Sequence, residues 1–167
     1  MILIDTREQE PFWFPEPSKR FKLGEGDYSS EALIDILRIE RKASVNEIYT
    51  NLGKVKAKAR FFRELEKLAK FPHAVILAEF PERLISEFPN GSGIPKTRKA
   101  SKYEIAAGKR KDGEIIDCWG ELRIGAKKLL SLVAEVEAII PIVYCENRRQ
   151  AENFVRNKIK ELEEQYR

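Results

Sequence analysis

The chain has 167 residues, 43% hydrophobic and 35% charged, with a formal net charge of +4. That length suits one compact domain with a real core, and no stretch is long and apolar enough to span a membrane. Cys118 and Cys145 lack the spacing of a zinc site, and Met1 runs into a strand without a signal-peptide pattern, so the expected setting is soluble and intracellular, cytoplasmic or nucleoid-associated.

Ile2 to Thr6 reads as a buried strand, and Glu10 to Lys19, broken by Pro11, Pro15 and Pro17, as a loop. Within that loop Phe12, Trp13 and Phe14 are either a base-stacking platform or an aromatic segment folded onto the sheet. Phe21 to Leu23 leads into Gly24, Gly26 and Asp27, where the glycines let backbone approach a carboxylate closely or simply make a tight turn. A second strand is expected over Ile34 to Lys42. Side chains two apart on a strand share a face, so Glu40 and Lys42 converge while Arg41 points away. A hairpin through Tyr28 to Arg38 brings Asp27 alongside Glu40. Two carboxylates about 4 Å apart repel by roughly 4 kcal/mol at an effective dielectric near 20, so a site that keeps both ionised calls for a cation, and a divalent metal is the natural occupant.

After Lys42 the pattern Ser44-x-x-Glu47 predicts a capping box, with Val45, Ile48 and Leu52 as the apolar face of a helix that weakens at Gly53. A basic run, Lys54 to Arg60, precedes Phe61, Phe62, Leu65 and Leu68 at helical spacing, until Phe71-Pro72 stops the helix. Ala74 to Phe80 is a short apolar run fit for a buried strand, completing a strand-helix-strand crossover and hence a mixed sheet. His73 reads as a loop residue, and Glu79 either points out of the sheet or supports the metal site. From Pro89 to Gly125 periodicity fails, and Lys96, Arg98, Lys99, Lys102, Lys109, Arg110 and Lys111 are opposed only by Glu104 before Asp112. This run reads as a phosphate-binding arm or as a solvated loop, with a short hairpin expected around Trp119-Gly120. Ala126 to Ala138 returns to helix, and Ile139 to Cys145 to strand. Asn147 caps a final helix whose stripe of Ala151, Val155, Ile159, Leu162 and Tyr166 is core or dimer surface.

Gly26-Asp27-Tyr28 followed by Glu40-Arg41-Lys42 resembles the PD-(D/E)xK nuclease signature, and the wording G-D-Y with E-R-K resembles the XPF-type structure-specific endonucleases in particular. The opening M-I-L-I-D-T-R-E-Q is similar to that family's first strand, with Asp5, Arg7 and Glu8 on its D-x-R-E pattern. The resemblance runs from Ile2 to about Phe80. It implies an α/β, restriction-endonuclease-like core, a central mixed sheet flanked by helices, in a single nuclease domain over residues 1–167 with a basic flexible insert at about 89–125. The activity it implies is metal-dependent hydrolysis of DNA phosphodiesters, in branched or flap-bearing DNA.

In that reading Asp27, Glu40 and Asp5 hold Mg²⁺ or Mn²⁺, hard ions suited to oxygen ligands. Lys42 orients or helps activate the attacking water and stabilises charge on the phosphate. Arg7 and Arg41 clamp phosphates or hold the carboxylates, and Glu8 completes the catalytic set. Arg60 matches an Arg that the family carries early in the helix after E-R-K, and joins Lys96, Arg98, Lys99, Lys109, Arg110 and Lys111 as DNA contacts. The family also implies a homodimer, or a partner protein supplying further DNA contacts. Neither a helix-hairpin-helix pair nor a Walker loop is legible in the 167 residues. One departure matters: the family pattern places an Asp after E-R-K where this chain has Asn46. It keeps open a non-catalytic DNA-binding or scaffolding relative, and an RNA-directed nuclease is the third reading.

Overall fold

Residues 1–167 are described in full in a computed structural model. The strands are β1 (Ile2–Asp5), β2 (Ser18–Phe21), β3 (Tyr28–Ser30), β4 (Leu37–Lys42), β5 (His73–Ala78), β6 (Thr97–Lys99), β7 (Ile115–Asp117) and β8 (Ile142–Tyr144). The helices are α1 (Val45–Leu52), α2 (Val55–Leu68), α3 (Arg83–Ser86), α4 (Lys102–Ala106), α5 (Ala126–Glu137) and α6 (Arg148–Gln165). None is long and apolar enough to cross a membrane.

β5 reads H-A-V-I-L-A, a run with no polar side chain after His73, so its two faces both need cover. Ile76 and Ala78 pack into one cluster with α1, α2 and α5, while Val75 and Leu77 pack into a second with α6 and the Phe12–Phe14 segment. The result is a six-stranded mixed sheet, β2-β1-β3-β4-β5-β8, between two layers. β1 pairs antiparallel to β3 and β3 antiparallel to β4, whereas β1–β2, β4–β5 and β5–β8 are parallel. The expected mixed sheet and the hairpin into Glu40 are both present.

Several local expectations are corrected. β2 lies partly inside the proline-broken stretch read as loop; its residues are all exposed, and it exists because its backbone extends the edge of β1 rather than through any hydrophobic pattern. Its Arg20 guanidinium donates to the Asp5 and Glu8 carbonyls and its Lys19 pairs with Glu31, so the open edge carries charges, which discourage pairing with other chains. The strand expected from Ile34 starts at Leu37, after a single 3₁₀ turn over Glu31–Leu33. Ser44 makes no cap hydrogen bond, and Glu47 instead accepts from the Ala43 N–H. The reciprocal capping box forms elsewhere, between Ser101 and Glu104 at the start of α4. Ile115–Asp117 pairs with Thr97–Lys99 instead of folding back around Trp119-Gly120, so the 89–125 insert carries a two-stranded ribbon with α4 between its strands. The α6 stripe is core over Ala151, Val155, Ile159 and Leu162, which are all buried, but not at Tyr166, which caps the helix end and is exposed.

The aromatic segment is divided. Phe12 is 3% exposed and stacks on Tyr28 at 5.0 Å between centroids, with its N–H donating to the Tyr28 hydroxyl, whereas Trp13 is 71% exposed. Phe12→Ala is therefore expected to cost about 3–5 kcal/mol in urea unfolding, while Trp13→Ala stays within about 0.5 kcal/mol. Equal losses at the two positions would contradict this packing.

Candidate active site

Gly24 and Gly26 have φ of +84° and +73°, left-handed values that a side chain resists. At Gly26 a Cβ would also sit 3.3 Å from the Ile39 carbonyl oxygen, so glycine is what lets this turn lie against β4. The turn delivers Asp27 into the ladder: its N–H donates to Ile39 O and its carbonyl accepts from Asp5 N–H, both at 2.8 Å. Asp27 Oδ2 then accepts the Arg41 backbone N–H at 2.8 Å, which sets this carboxylate beside Glu40.

Period-two alternation divides β4. Glu40 and Lys42 face α2, where the Lys42 ammonium donates to Glu40 Oε1 at 2.9 Å and lies 5.1 Å from the Phe61 ring centroid. Arg41 faces the other layer. Its guanidinium, 6% exposed, pairs with Glu79 at 2.7 Å and Glu8 at 3.2 Å, and donates to the Glu10 carbonyl. Two open clefts meet at this place, one of ≈350 Å³ reaching Phe61, Glu64 and Lys67, the other of ≈440 Å³ reaching Glu8, Arg41 and Glu47; Asp27, Glu40 and Arg7 line both.

Burial, then the charge of Glu40, push the Asp27 carboxyl up to about 7, against the Arg41 N–H that favours its charged form. Burial alone would lower the Lys42 ammonium, but Glu40 and Asp27 outweigh it and hold its pKa above the usual lysine value. Lys42 is thus a cation and hydrogen-bond donor rather than a base that removes a proton from water, which narrows its expected role to orienting and stabilising. Asp5 goes the other way: burial pushes it up, yet the Arg7 guanidinium and the Arg7 and Leu23 N–H groups hold it below the usual range.

Asp27, Glu40, Lys42 and Arg7 are therefore brought together. Asp5 is not, because one oxygen accepts Arg7 N–H and Nε and the other accepts Leu23 N–H, and it lines neither cleft. Its structural effect is to aim Arg7, which also donates to the Gly24 carbonyl. Glu8 lines one cleft but is engaged by Arg41 and the Glu10 N–H. Glu79 is the partner of Arg41. Arg60 is exposed on α2 and lines neither cleft; the α2 residues that do are Phe61, Glu64, Lys67 and Leu68. Sequence reasoning missed Glu64 and Lys67, although Glu64, three residues after Phe61, shares its side of the helix, and Lys67 neighbours Glu64 one turn on. It also missed Glu47 as a cleft residue. Asn46 donates its N–H to the Ser92 carbonyl and lines neither cleft.

No three His, Cys, Asp or Glu side chains converge as a ready metal-holding group. What is present, two carboxylates open to solvent-filled clefts with excess negative charge, fits a hard cation that keeps most of its waters, as Mg²⁺ does, and does not fit a closed protein cage.

No protein-family model and no curated protein matches the sequence. Among solved structures, XPF from Aeropyrum pernix superposes with a TM-score of 0.54 at 15% identity, covering 96% of this chain and 65% of that one. The fold is XPF-like. It is the restriction-endonuclease-like arrangement expected, and at this identity the likeness speaks to architecture alone.

Two outcomes follow from this geometry. In the metal-free protein the folded state keeps the Asp27 proton up to about pH 7, whereas the unfolded chain releases it near its ordinary value of 3.8. The stability that proton contributes is full below about pH 4 and is lost as pH rises to about 7. The melting temperature of wild type is expected to fall relative to Asp27→Asn between about pH 5 and about pH 8; parallel curves would refute the shift. Arg41→Met removes the guanidinium shared by the half-buried Glu8 and Glu79 and leaves Glu79 only its longer contact to Arg148, and is expected to cost about 3–5 kcal/mol in chemical unfolding.

Proposed function

We propose that this chain is a metal-dependent endonuclease that hydrolyses DNA phosphodiesters, with branched or flap-bearing DNA as its substrate class. The observation that carries the reading is the convergence of Asp27 and Glu40 where two clefts meet, with Lys42, buried behind them and lining neither cleft, donating to Glu40, so that the two carboxylates outnumber their one ammonium. Asp27 and Glu40 would hold Mg²⁺ or Mn²⁺, which supplies Lewis-acid polarisation of the phosphate and a more acidic bound water. Lys42, fixed by Glu40 and by its contact with Phe61, keeps its charge and donates a hydrogen bond to the attacking water or to a phosphate oxygen as charge develops there. Arg7, braced by Asp5, presents the rest of its guanidinium to the clefts, where a phosphate is a better partner than water. Arg41 acts from behind the sheet: it holds the ends of β1, β4 and β5 together and lends its N–H to Asp27.

The rival is a DNA-binding relative without chemistry. Two observations favour it: Asp5 is spent on Arg7, and Asn46 stands where the family pattern has a carboxylate, so the site has only two acids, one of them paired with Lys42.

Cleavage of flap, fork and four-way-junction DNA in Mg²⁺ or Mn²⁺, abolished by EDTA, separates the two. Asp27→Asn and Glu40→Gln are expected to abolish cutting while DNA binding remains, and Lys42→Met to slow it by about 10²–10³-fold. Independently of activity, Mg²⁺ is expected to raise the melting temperature of wild type and not that of Asp27→Asn. Full activity in Glu40→Gln would overturn the site, and an inert wild type whose melting temperature ignores Mg²⁺ would establish the scaffold.

A further inference from the structure

The β6–β7 ribbon and α4 form a lobe outside the six-stranded sheet that contributes no residue to either cleft. It is mounted firmly, because Ile94, Leu122 and Ile124 at its base pack against the core and the Trp119 indole N–H donates to the Ile94 carbonyl. Its cations are of two kinds. Arg98 is held in a fork by Glu104 at 2.7 and 2.8 Å, and Arg110 by Glu114 and Glu121, so both guanidiniums brace the lobe from within. Lys96 lies over the Trp119 ring at 5.0 Å. Lys99, Lys102, Lys109 and Lys111, by contrast, are exposed and pair with no carboxylate.

Two large apolar side chains lie open among these lysines. Tyr103, next to Lys102, is 80% exposed, and Ile115, 59% exposed, is the ladder partner of Lys99 and so shares its face. Spare cations would bind phosphates of any nucleic acid. A bare aromatic ring among them selects further, because a base offers its π-face only when it is out of a duplex stack. We propose that this lobe is a second DNA-binding site, apart from the two clefts, that grips a single strand with the four lysines on phosphates and Tyr103 stacked on a base; the inference rests on the nuclease reading above.

The test uses the full chain in EDTA, where nothing is cut, with a labelled oligothymidine, a blunt duplex and an oligouridine of equal length, read by fluorescence anisotropy across a salt series. Wild type is expected to bind the oligothymidine most tightly. Replacing Lys99, Lys102, Lys109 and Lys111 together with Ala is expected to flatten the slope of log affinity against log salt by about 0.7 per lysine. Tyr103→Ala is expected to weaken binding about tenfold without changing that slope, and Tyr103→Phe to restore it, since the ring is what stacks. All these side chains are exposed, so unchanged thermal melts will show that the variants fold. Variants that bind like wild type would overturn the lobe and leave the nuclease reading intact. Losses as large on the blunt duplex would overturn the single-strand assignment, and tighter binding of oligouridine the assignment to DNA. A wild type that binds none of the three would overturn the lobe, and the cleavage of branched DNA described above tests the nuclease reading separately.

Discussion

Arg41 holds the site from both of its ends. Its side chain, buried in the layer behind the sheet, joins Glu8 beyond β1 to Glu79 beyond β5, and its backbone N–H fixes the Asp27 carboxylate. A buried ion pair gains little net stability over an apolar filling, because desolvation cancels most of the attraction. What this one supplies is position. The guanidinium fork accepts carboxylates only along defined directions, so three strand ends are held in one register, and the clefts open where they meet. Arg148 extends the same network, contacting Glu79 and Glu152 and donating to the Pro11 carbonyl.

The alternation of β4 separates support from chemistry. Leu37 and Ile39 join the α6 layer with Arg41, while Glu40 and Lys42 emerge towards α2. A one-residue slip of this strand would exchange the two sets and destroy both functions at once. The long parallel pairing with β5 runs from Leu37 opposite His73 to Lys42 opposite Ala78, and a slip is resisted because it would turn Glu40 and Lys42 towards the apolar cluster that Leu37 and Ile39 fill. The charge of the site has the same origin: holding Asp27 and Glu40 together in partly buried surroundings costs free energy in the absence of a cation, and that cost is the affinity a cation can recover.

Carboxylates that look equivalent along the chain have different fates. Asp5 pairs with Arg7, and Glu8 and Glu79 share Arg41, which leaves Asp27 and Glu40 with one ammonium, Lys42, between them and one negative charge to spare. The insert follows the same rule with the signs exchanged. Glu104, Glu114 and Glu121 consume Arg98 and Arg110, and the lysines remain. Arginine's planar fork suits it to bracing, and lysine's solvated ammonium to a surface held open for phosphate.

The sequence by itself determined the sheet strands that carry apolar runs, the hairpin that sets Asp27 beside Glu40, and the shared face of Glu40 and Lys42, because strand periodicity and glycine turns are local properties. The Asn147 cap and the buried stripe of α6 were legible for the same reason. Only the tertiary structure decided β2, whose exposed residues form a strand through pairing with β1, and the β6–β7 ribbon, whose partners lie sixteen or more residues apart. It alone assigned Asp5 to Arg7, Arg41 to Glu8 and Glu79, and Arg60 to open solvent on α2. Which charge neutralises which is settled by distances between segments remote in the chain, and no local pattern contains those distances.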